Sequence, residues 1–250
     1  MTHQELHSPF YHKTGSNIGI LCIHGLFGSP NQFNALGEII ESFGYDCKAI
    51  LLPGHGGSCK DFGNSNYKHW KEHAKNEISW MKEHYEKVYL IGHSMGGLFC
   101  IEFADEMQVD GIILINTPMK ISPSLGKYAK CLEVMLTKKS MGDIFGEERE
   151  KSVYGIDDGK WYEYVSGLPS ALGVRKIKSD TKRMLSSLKT PALIFQSKED
   201  DTVSYRSIYY FAKKLKMAKH KIVVLKHSQH SHFSIKDLNI QKKMIKGFIG

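Results

Sequence analysis

A serine lies between two glycines at the point where an apolar run gives way to an amphipathic one. The run Val88–Ile91 is strand-like, the pentapeptide Gly92-His93-Ser94-Met95-Gly96 follows it, and helical periodicity begins near Met95. A turn this tight leaves no room for flanking side chains, so glycine is needed at both ends of the pentapeptide. The serine is then held just before a helix N-terminus, where free N–H groups create a positive potential. This context predicts that Ser94 is a nucleophile.

Serine is a weak nucleophile until a base removes its proton, and two later stretches contain an acid and a base. The first is Ser197-Lys198-Glu199-Asp200-Asp201, and the second is Lys226-His227-Ser228-Gln229-His230-Ser231-His232. Each stretch follows a strand-like run near the end of the chain. Because the chain has 13 histidines, residue type alone does not identify the base. From the residues alone, both aspartates and all three histidines of these stretches are candidates.

Strand-like and helical patterns alternate along the chain. The expected strands are "IGILCIHG" (Ile18–Gly25), "YDCKAILLPGHG" (Tyr45–Gly56), Val88–Ile91, "GIILIN" (Gly111–Asn116), "PALIFQ" (Pro191–Gln196) and "KIVVL" (Lys221–Leu225). The expected helices are Phe33–Phe43, Trp70–Tyr85, Met95–Met107, Tyr205–Leu215 and Ile235–Phe248. This alternation predicts an α/β fold with a mostly parallel sheet and helices on both faces.

The segment 119–190 interrupts the alternation. It has helix-like pieces near Leu125–Thr137 and Lys176–Ser187 but no convincing strand, and the sheet pattern resumes at Pro191. We therefore predict one α/β core, made of residues 1–118 and 191–250, with residues 119–190 inserted as a helical cap. A second independent domain is disfavoured because the sheet continues after the interruption.

Composition narrows the class of protein further. The chain has 250 residues, of which 41% are hydrophobic, and it contains no apolar run of about 18 residues that would indicate a transmembrane helix. Its polar start, "MTHQELHSPFYHKTG", does not resemble a secretory leader. The five cysteines form no Cys-x-x-Cys pair, which is typical of free thiols in a reducing compartment. We expect a cytoplasmic protein.

Neither metal nor nucleic-acid chemistry is indicated. No His, Cys or Asp cluster has zinc spacing, and Gly54-His55-Gly56-Gly57 lacks the Gly-Lys-Ser/Thr ending of a phosphate loop. We therefore expect no metal and no cofactor. The net charge is +8, but the lysines are scattered and arginine is scarce, which favours a solvated basic surface. The expected partner is a small-molecule substrate, and the expected state is a monomer or a weak homodimer.

Five motifs resemble those of the bacterial carboxylesterase and monoacylglycerol lipase family of α/β-hydrolases. They are "IHGLFG", "LLPGHG", "GHSMGG", "QSKEDDTV" and "HSQH", in that order over nearly the whole chain, with only the cap weakly constrained. In that family the acid opens an Asp-x-x-Val motif, which corresponds to Asp200 here, with Asp201 as the competitor. The base is the histidine of a Ser-x-His pattern, which corresponds to His230.

The remaining roles follow from the same resemblance. His227 and His232 are the alternative bases. The donors of the oxyanion hole are expected to be the backbone N–H groups of Leu26 and Met95, the latter being the residue after the nucleophile. The other motif histidines, His24, His55 and His93, are expected to anchor loops through hydrogen bonds.

The resemblance implies two-step hydrolysis of carboxylic esters through an acyl-enzyme, with a Ser94-Asp200-His230 triad. Short- to medium-chain acyl esters and monoacylglycerols are the expected substrates. An amide, thioester or carbon–carbon hydrolase of the same fold is the alternative, and a non-catalytic binding protein is a further one. The expected acyl pocket is apolar and aromatic and uses residues of the cap. The candidate residues are Tyr128, Met135, Phe145, Tyr154, Trp161, Tyr162, Tyr164, Leu168 and Leu172.

Overall fold

The computed structural model describes residues 7–121 and 168–250, without the side chains of 168–172. Its strands are β1 (Phe10–His12), β2 (Ile18–Ile23), β3 (Asp46–Ile50), β4 (Lys87–His93), β5 (Gly111–Ile115), β6 (Ala192–Ser197) and β7 (His220–Leu225). Its helices are a 3₁₀ turn (Pro30–Phe33), α1 (Asn34–Glu41), α2 (Cys59–Asn64), α3 (Tyr67–His84), α4 (Met95–Ala104), α5 (Leu168–Met184), α6 (Ser207–Lys214) and α7 (Ile235–Ile249).

Within these residues the strands form one sheet in the order β1-β3-β2-β4-β5-β6-β7. Every neighbouring pair from β3 to β7 is parallel, and only β1 runs antiparallel, against β3 at one edge. The predicted α/β fold with a mostly parallel sheet is therefore confirmed. The carboxyl ends of the parallel strands meet at one edge, which is where such sheets carry their functional groups.

Both faces of the sheet are covered, which explains why the strands are continuous apolar runs. Successive side chains of a strand point to opposite faces. Leu21 and Ile23 accordingly pack in one apolar layer with residues of α3, α4, α5 and α6. Ile20 and Cys22 pack in the other layer, with residues of α1 and α7. The two layers hold the central strands in place and fix the ends that carry the candidate site.

Most of the predicted cap lies outside the described residues, and so do its proposed pocket side chains. The described part includes α5, which packs against α3 and α4 and buries Ile177 in the same layer as those helices. The parallel pairing of β5 with β6 joins the strands on either side of the segment. The division into a core and a cap of residues 119–190 stays a proposal.

Three observations concern membrane spans, metal sites and cysteines. In the described parts of the chain, no helix is both long and apolar enough to cross a membrane. The same parts contain no group of three or more His, Cys, Asp or Glu side chains that could hold a metal ion. The described cysteines are free and buried, and they are Cys22, Cys47, Cys59 and Cys100.

Candidate active site

The turn between β4 and α4 holds Ser94 in a strained conformation. Its φ is 51° and its ψ is −117°, a region that non-glycine residues rarely adopt. The main-chain N–H of Ser94 donates to the carbonyl of Ile115 on β5, 2.8 Å away. A Cβ added at Gly96 would lie 1.9 Å from the Ile23 carbonyl oxygen, and one at Gly92 would lie 2.4 Å from the Gly97 nitrogen. Both glycines are therefore required by the close approach of the backbone.

A chain of two contacts joins the Ser94 hydroxyl to an imidazole and the imidazole to a carboxylate. His230 Nε2 lies 3.1 Å from Ser94 Oγ, and His230 Nδ1 lies 2.8 Å from Asp200 Oδ2. The Asp200 side chain is fully buried and that of His230 is 14% exposed. The three residues come from the carboxyl ends of β4, β6 and β7. This arrangement can take a proton from a serine hydroxyl while the carboxylate fixes the imidazole tautomer.

The competing acid and bases lie in different environments. Asp200 Oδ1 accepts hydrogen bonds from the main-chain N–H groups of Thr202 (2.8 Å) and Val203 (2.7 Å), which hold the carboxylate in place. Asp201 is exposed, and its carboxylate accepts a bond from the Thr202 hydroxyl at 3.1 Å. His227 and His232 are exposed as well. Of these candidates, the structure brings Asp200 and His230 together with Ser94.

The loop after β2 lies directly against the serine. A Cβ added at Gly25 would be 2.9 Å from Ser94 Cβ, so only a glycine lets this loop come so close. Leu26 follows it and is half-buried. Met95 is the first residue of α4, a position whose N–H has no acceptor within its own helix. The proposed oxyanion donors therefore belong to the two backbone segments that flank Ser94.

The motif histidine His24 joins two loops, and His55 is a second buried ring. His24 Nδ1 donates to the Gly25 carbonyl at 2.8 Å, and its Nε2 accepts from the Leu52 N–H at 3.0 Å. Burial lowers the pKa of His24 well below its usual range and that of His55 to about 4. Both rings are therefore neutral near pH 7. The hydrogen bonds of His24 agree with the anchoring role expected from the sequence.

His93 also contacts two loops, which agrees with the anchoring role expected from the sequence, although the sequence did not identify its partners. Its Nδ1 lies 2.9 Å from Gln32 Oε1, and its Nε2 lies 2.8 Å from the main-chain oxygen of His230. Burial lowers the pKa of His93 to about 3, with a further lowering from the neighbouring His230. Gln32 Oε1 also accepts the N–H of Gly25, 3.1 Å away. His93 thus lies between the loop after β2 and the candidate base.

A residue that the sequence analysis did not single out is Asn116, directly after β5. Its Nδ2 donates to the His230 carbonyl at 2.7 Å, and its Oδ1 accepts the Ser197 N–H at 2.7 Å. It is fully buried and has a φ of 50°. A polar residue closing an apolar strand, as in "GIILIN", was the available signal in the sequence. Its partners depend on how three strands are arranged, so the sequence did not identify them.

A comparison with models of protein families shows which family the chain belongs to. A family model described as serine aminopeptidase, S33, matches residues 17–236. The chain belongs to this family. The matched range runs from the start of β2 to the start of α7 and includes Ser94, Asp200 and His230.

Curated relatives of this S33-family chain are enzymes named for ester hydrolysis. A thermostable monoacylglycerol lipase of Bacillus sp. (strain H-257) is 26% identical over 223 residues, which are 89% of this chain and 86% of the relative. A carboxylesterase of Bacillus subtilis (strain 168) is 22% identical over 200 residues, 80% of this chain and 78% of the relative. Both matches cover most of each chain.

A solved structure of a metagenome-derived lipolytic enzyme has the same fold. It superposes with a TM-score of 0.74 at 23% identity and covers 96% of both chains. At this level of identity the likeness establishes the α/β-hydrolase fold, whereas substrate depends on the site.

Proposed function

We propose that this S33-family protein hydrolyses carboxylic esters through an acyl-enzyme formed on Ser94. The observation that carries the proposal is the continuous line of hydrogen bonds from Asp200 through His230 to Ser94. The names of the curated relatives, a monoacylglycerol lipase and a carboxylesterase, support an ester as the bond that is cleaved.

In the first step, Ser94 Oγ attacks the ester carbonyl carbon while His230 Nε2 takes the hydroxyl proton. The resulting oxyanion accepts hydrogen bonds from the N–H groups of Leu26 and Met95. His230 then gives its proton to the departing alcohol, and Ser94 keeps the acyl group. In the second step a water molecule loses a proton to His230 and attacks the acyl carbon, releasing the acid and returning the proton to Ser94. Asp200 stabilises the imidazolium in both steps.

The first test is the nucleophile itself. Ser94→Ala should lower kcat/KM for a p-nitrophenyl ester by about 10⁴- to 10⁶-fold, because the acyl acceptor is gone. The control is Ser42→Ala, an exposed serine at the end of α1, which should match the wild type. A fluorophosphonate probe should label the wild type and not Ser94→Ala. Undiminished turnover by Ser94→Ala would overturn the assignment, and an unlabelled, inactive wild type would favour a binding protein.

The second test is acyl length. An apolar pocket gains roughly 0.8 kcal/mol for each buried methylene, so a few added carbons should raise kcat/KM by one to two decades until the pocket is full. We expect short- to medium-chain esters and monoacylglycerols to be cleaved faster than acetate and faster than bulky triacylglycerols. A flat profile over acyl length, or faster hydrolysis of emulsified long-chain triacylglycerol than of a soluble monoester, would contradict this preference.

Amide hydrolysis is the second candidate, and the family description is the observation that favours it, since it names an aminopeptidase. The same groups would serve, with His230 protonating an amine instead of an alcohol. A panel of aminoacyl p-nitroanilides, assayed beside the matching p-nitrophenyl esters, separates the two. We expect the ester to be the better substrate, and a higher kcat/KM for an anilide would reverse the order of the candidates.

A further inference from the structure

The main-chain carbonyl of His230 lies within hydrogen-bond distance of two side chains at the ends of other strands. Asn116, directly after β5, donates from Nδ2 at 2.7 Å, and His93, the last residue of β4, has its Nε2 at 2.8 Å. This oxygen belongs to the residue whose ring contacts both Ser94 and Asp200. The two contacts therefore act on the backbone of the candidate base and not on its ring.

The orientation of the Asn116 amide is fixed by its neighbours. The Ser197 N–H can only donate, so the atom 2.7 Å from it must be the carbonyl oxygen Oδ1. The main-chain oxygens of His230 (2.7 Å) and Gln229 (3.3 Å) can only accept, so the atom facing them must be Nδ2. One amide thus joins the end of β6, three residues before Asp200, to the loop that carries His230.

Asn116 adopts this position at a cost in backbone energy. Its φ of 50° lies in the left-handed region, and its side chain is completely buried. Asparagine tolerates this region better than most residues, but it is still disfavoured. A buried amide in a strained conformation persists only where its surroundings hold it there. Here the surroundings are the two segments that carry the acid and the base.

His93 is the weaker of the two donors because of its proton count. Its ring is neutral and has one N–H, yet both nitrogens face acceptors, Gln32 Oε1 and the His230 carbonyl. It can donate to only one of them at a time. Gln32 Oε1 already accepts from Gly25. Asn116 donates to His230 in either tautomer of His93, so the amide is the constant anchor.

The rest of the loop is held upstream of the base. The Asp237 carboxylate accepts hydrogen bonds from the His227 N–H and the Ser228 hydroxyl, each at 2.7 Å. These bonds fix the first residues after β7. The Gln229 N–H donates to the His232 carbonyl at 2.9 Å and closes a turn around His230, whose own carbonyl faces Asn116. The imidazole must donate from Nδ1 to Asp200, 2.8 Å away, and accept at Nε2 from the Ser94 hydroxyl, 3.1 Å away. Both contacts depend on the position of its backbone.

We infer that Asn116 is a positioning residue, which clamps the His230 carbonyl so that the imidazole reaches Ser94 and Asp200 together, with His93 as a secondary donor. The inference rests on the proposed triad. Asn116 contacts no reacting atom in this scheme and acts only through His230. Its removal should therefore slow proton transfer at Ser94 and leave substrate binding unchanged.

The principal variant is Asn116→Asp, which keeps the shape, the Oδ1 acceptor and the tolerance of positive φ but places an oxygen against the His230 carbonyl. We expect kcat for a soluble p-nitrophenyl ester to fall about 10- to 100-fold, the range for a small misplacement of a catalytic group, with KM within about twofold of wild type. Asn116→Gly removes the amide without adding a charge and should give a similar loss.

The matched control is Gln241→Glu on α7, the same change from amide to carboxylate at another fully buried position. It should lower the unfolding midpoint but leave the kcat of the folded protein within about twofold. His93→Phe removes the secondary donor and should cost less kcat than Asn116→Gly. If a loss of stability alone lowered kcat, Gln241→Glu would lose kcat as well, so an unchanged control separates the two causes.

A spectroscopic readout separates positioning from general destabilisation. In ¹H NMR the proton between His230 Nδ1 and Asp200 should give a downfield resonance in the wild type that is absent or shifted in Asn116→Asp and Asn116→Gly. The resonance should persist in Gln241→Glu. An unchanged kcat in both Asn116 variants, an unchanged resonance, or a larger loss in His93→Phe would each overturn the inference. Failure of the proposed function is distinct, since the wild type would then be inactive on esters and unlabelled by fluorophosphonate.

Discussion

At the scale of single residues, two adjacent aspartates have carboxylates in different environments. Asp200 is buried and bonded to His230, whereas Asp201 is exposed. Asp200→Asn should lower kcat by about 10⁴-fold, because an amide at this position favours the wrong imidazole tautomer. Asp201→Asn, with the same change in charge one residue away, should stay within about twofold. Steady-state kinetics on one soluble ester checks both variants. A larger loss in Asp201→Asn would show that Asp201, and not Asp200, is the acid.

The three histidines after β7 allow a parallel test. His230→Ala should abolish turnover, since this ring alone lies 3.1 Å from Ser94 Oγ among the described candidates. His227→Ala and His232→Ala should leave kcat near the wild-type value because both side chains are exposed. If one of these variants were the inactive one, the loop would have to be in a different register around the serine.

The same residues show what sequence reasoning can reach. The tight turn at Ser94 could be predicted because it needs glycines at fixed positions, and this need is local. Choosing Asp200 over Asp201 required the resemblance, since spacing alone left both open. The hydrogen-bond partners of Asn116 and Gln32 could not be predicted, because an amide can donate and accept in many settings and only the packing of separate strands decides its partners.

At the scale of elements, two glycines in helices should respond in opposite ways to alanine. A Cβ at Gly96, in α4, would lie 1.9 Å from the Ile23 carbonyl, whereas one at Gly247, in α7, meets nothing within 4 Å. Gly96→Ala should lower the free energy of unfolding by about 3 kcal/mol or more through overpacking. Gly247→Ala should raise it by about 0.5–1 kcal/mol through helix propensity. Urea unfolding of both variants checks the pair, and equal effects would contradict it.

Long periodic elements could be predicted, and short ones could not. The helix Ile235–Phe248 was expected and is observed as Ile235–Ile249, because its apolar stripe repeats over several turns. The three residues of β1 are too few to show an alternation, and their place is set by pairing with β3. The six-residue helix α2 depends on a capping box between Ser58 and Asp61, a local signal that no apolar periodicity accompanies.

At the scale of the whole molecule, buried neutral histidines link stability to pH. Burial lowers the pKa of His24 well below its usual range, that of His55 to about 4 and that of His93 to about 3. All three lie below the value in the unfolded chain, roughly 6.5. The unfolded chain therefore binds more protons as pH falls through that value. The stability these groups contribute is present above it and is lost below it, by about 1.4 kcal/mol per pH unit for each histidine.

We accordingly expect the free energy of unfolding to drop steeply between pH 7 and pH 5. Urea unfolding at several pH values measures the slope. His55→Phe removes one of the three groups and should flatten the slope by about a third, whatever it does to stability at neutral pH. A free energy that stays constant over this interval would show that the three rings take up protons in the folded state.

The parts of the candidate site are widely separated in sequence, and this order has a consequence for biosynthesis. The serine and the proposed oxyanion donors come from β2 and β4, whereas the acid and the base follow β6 and β7. A nascent chain therefore displays its proposed nucleophile long before residue 230 has been made. On the proposed mechanism the serine has no base to take its proton during translation, so we expect the growing polypeptide to be inert toward esters around the ribosome. Ester hydrolysis would then start only when the last two strands have joined the sheet.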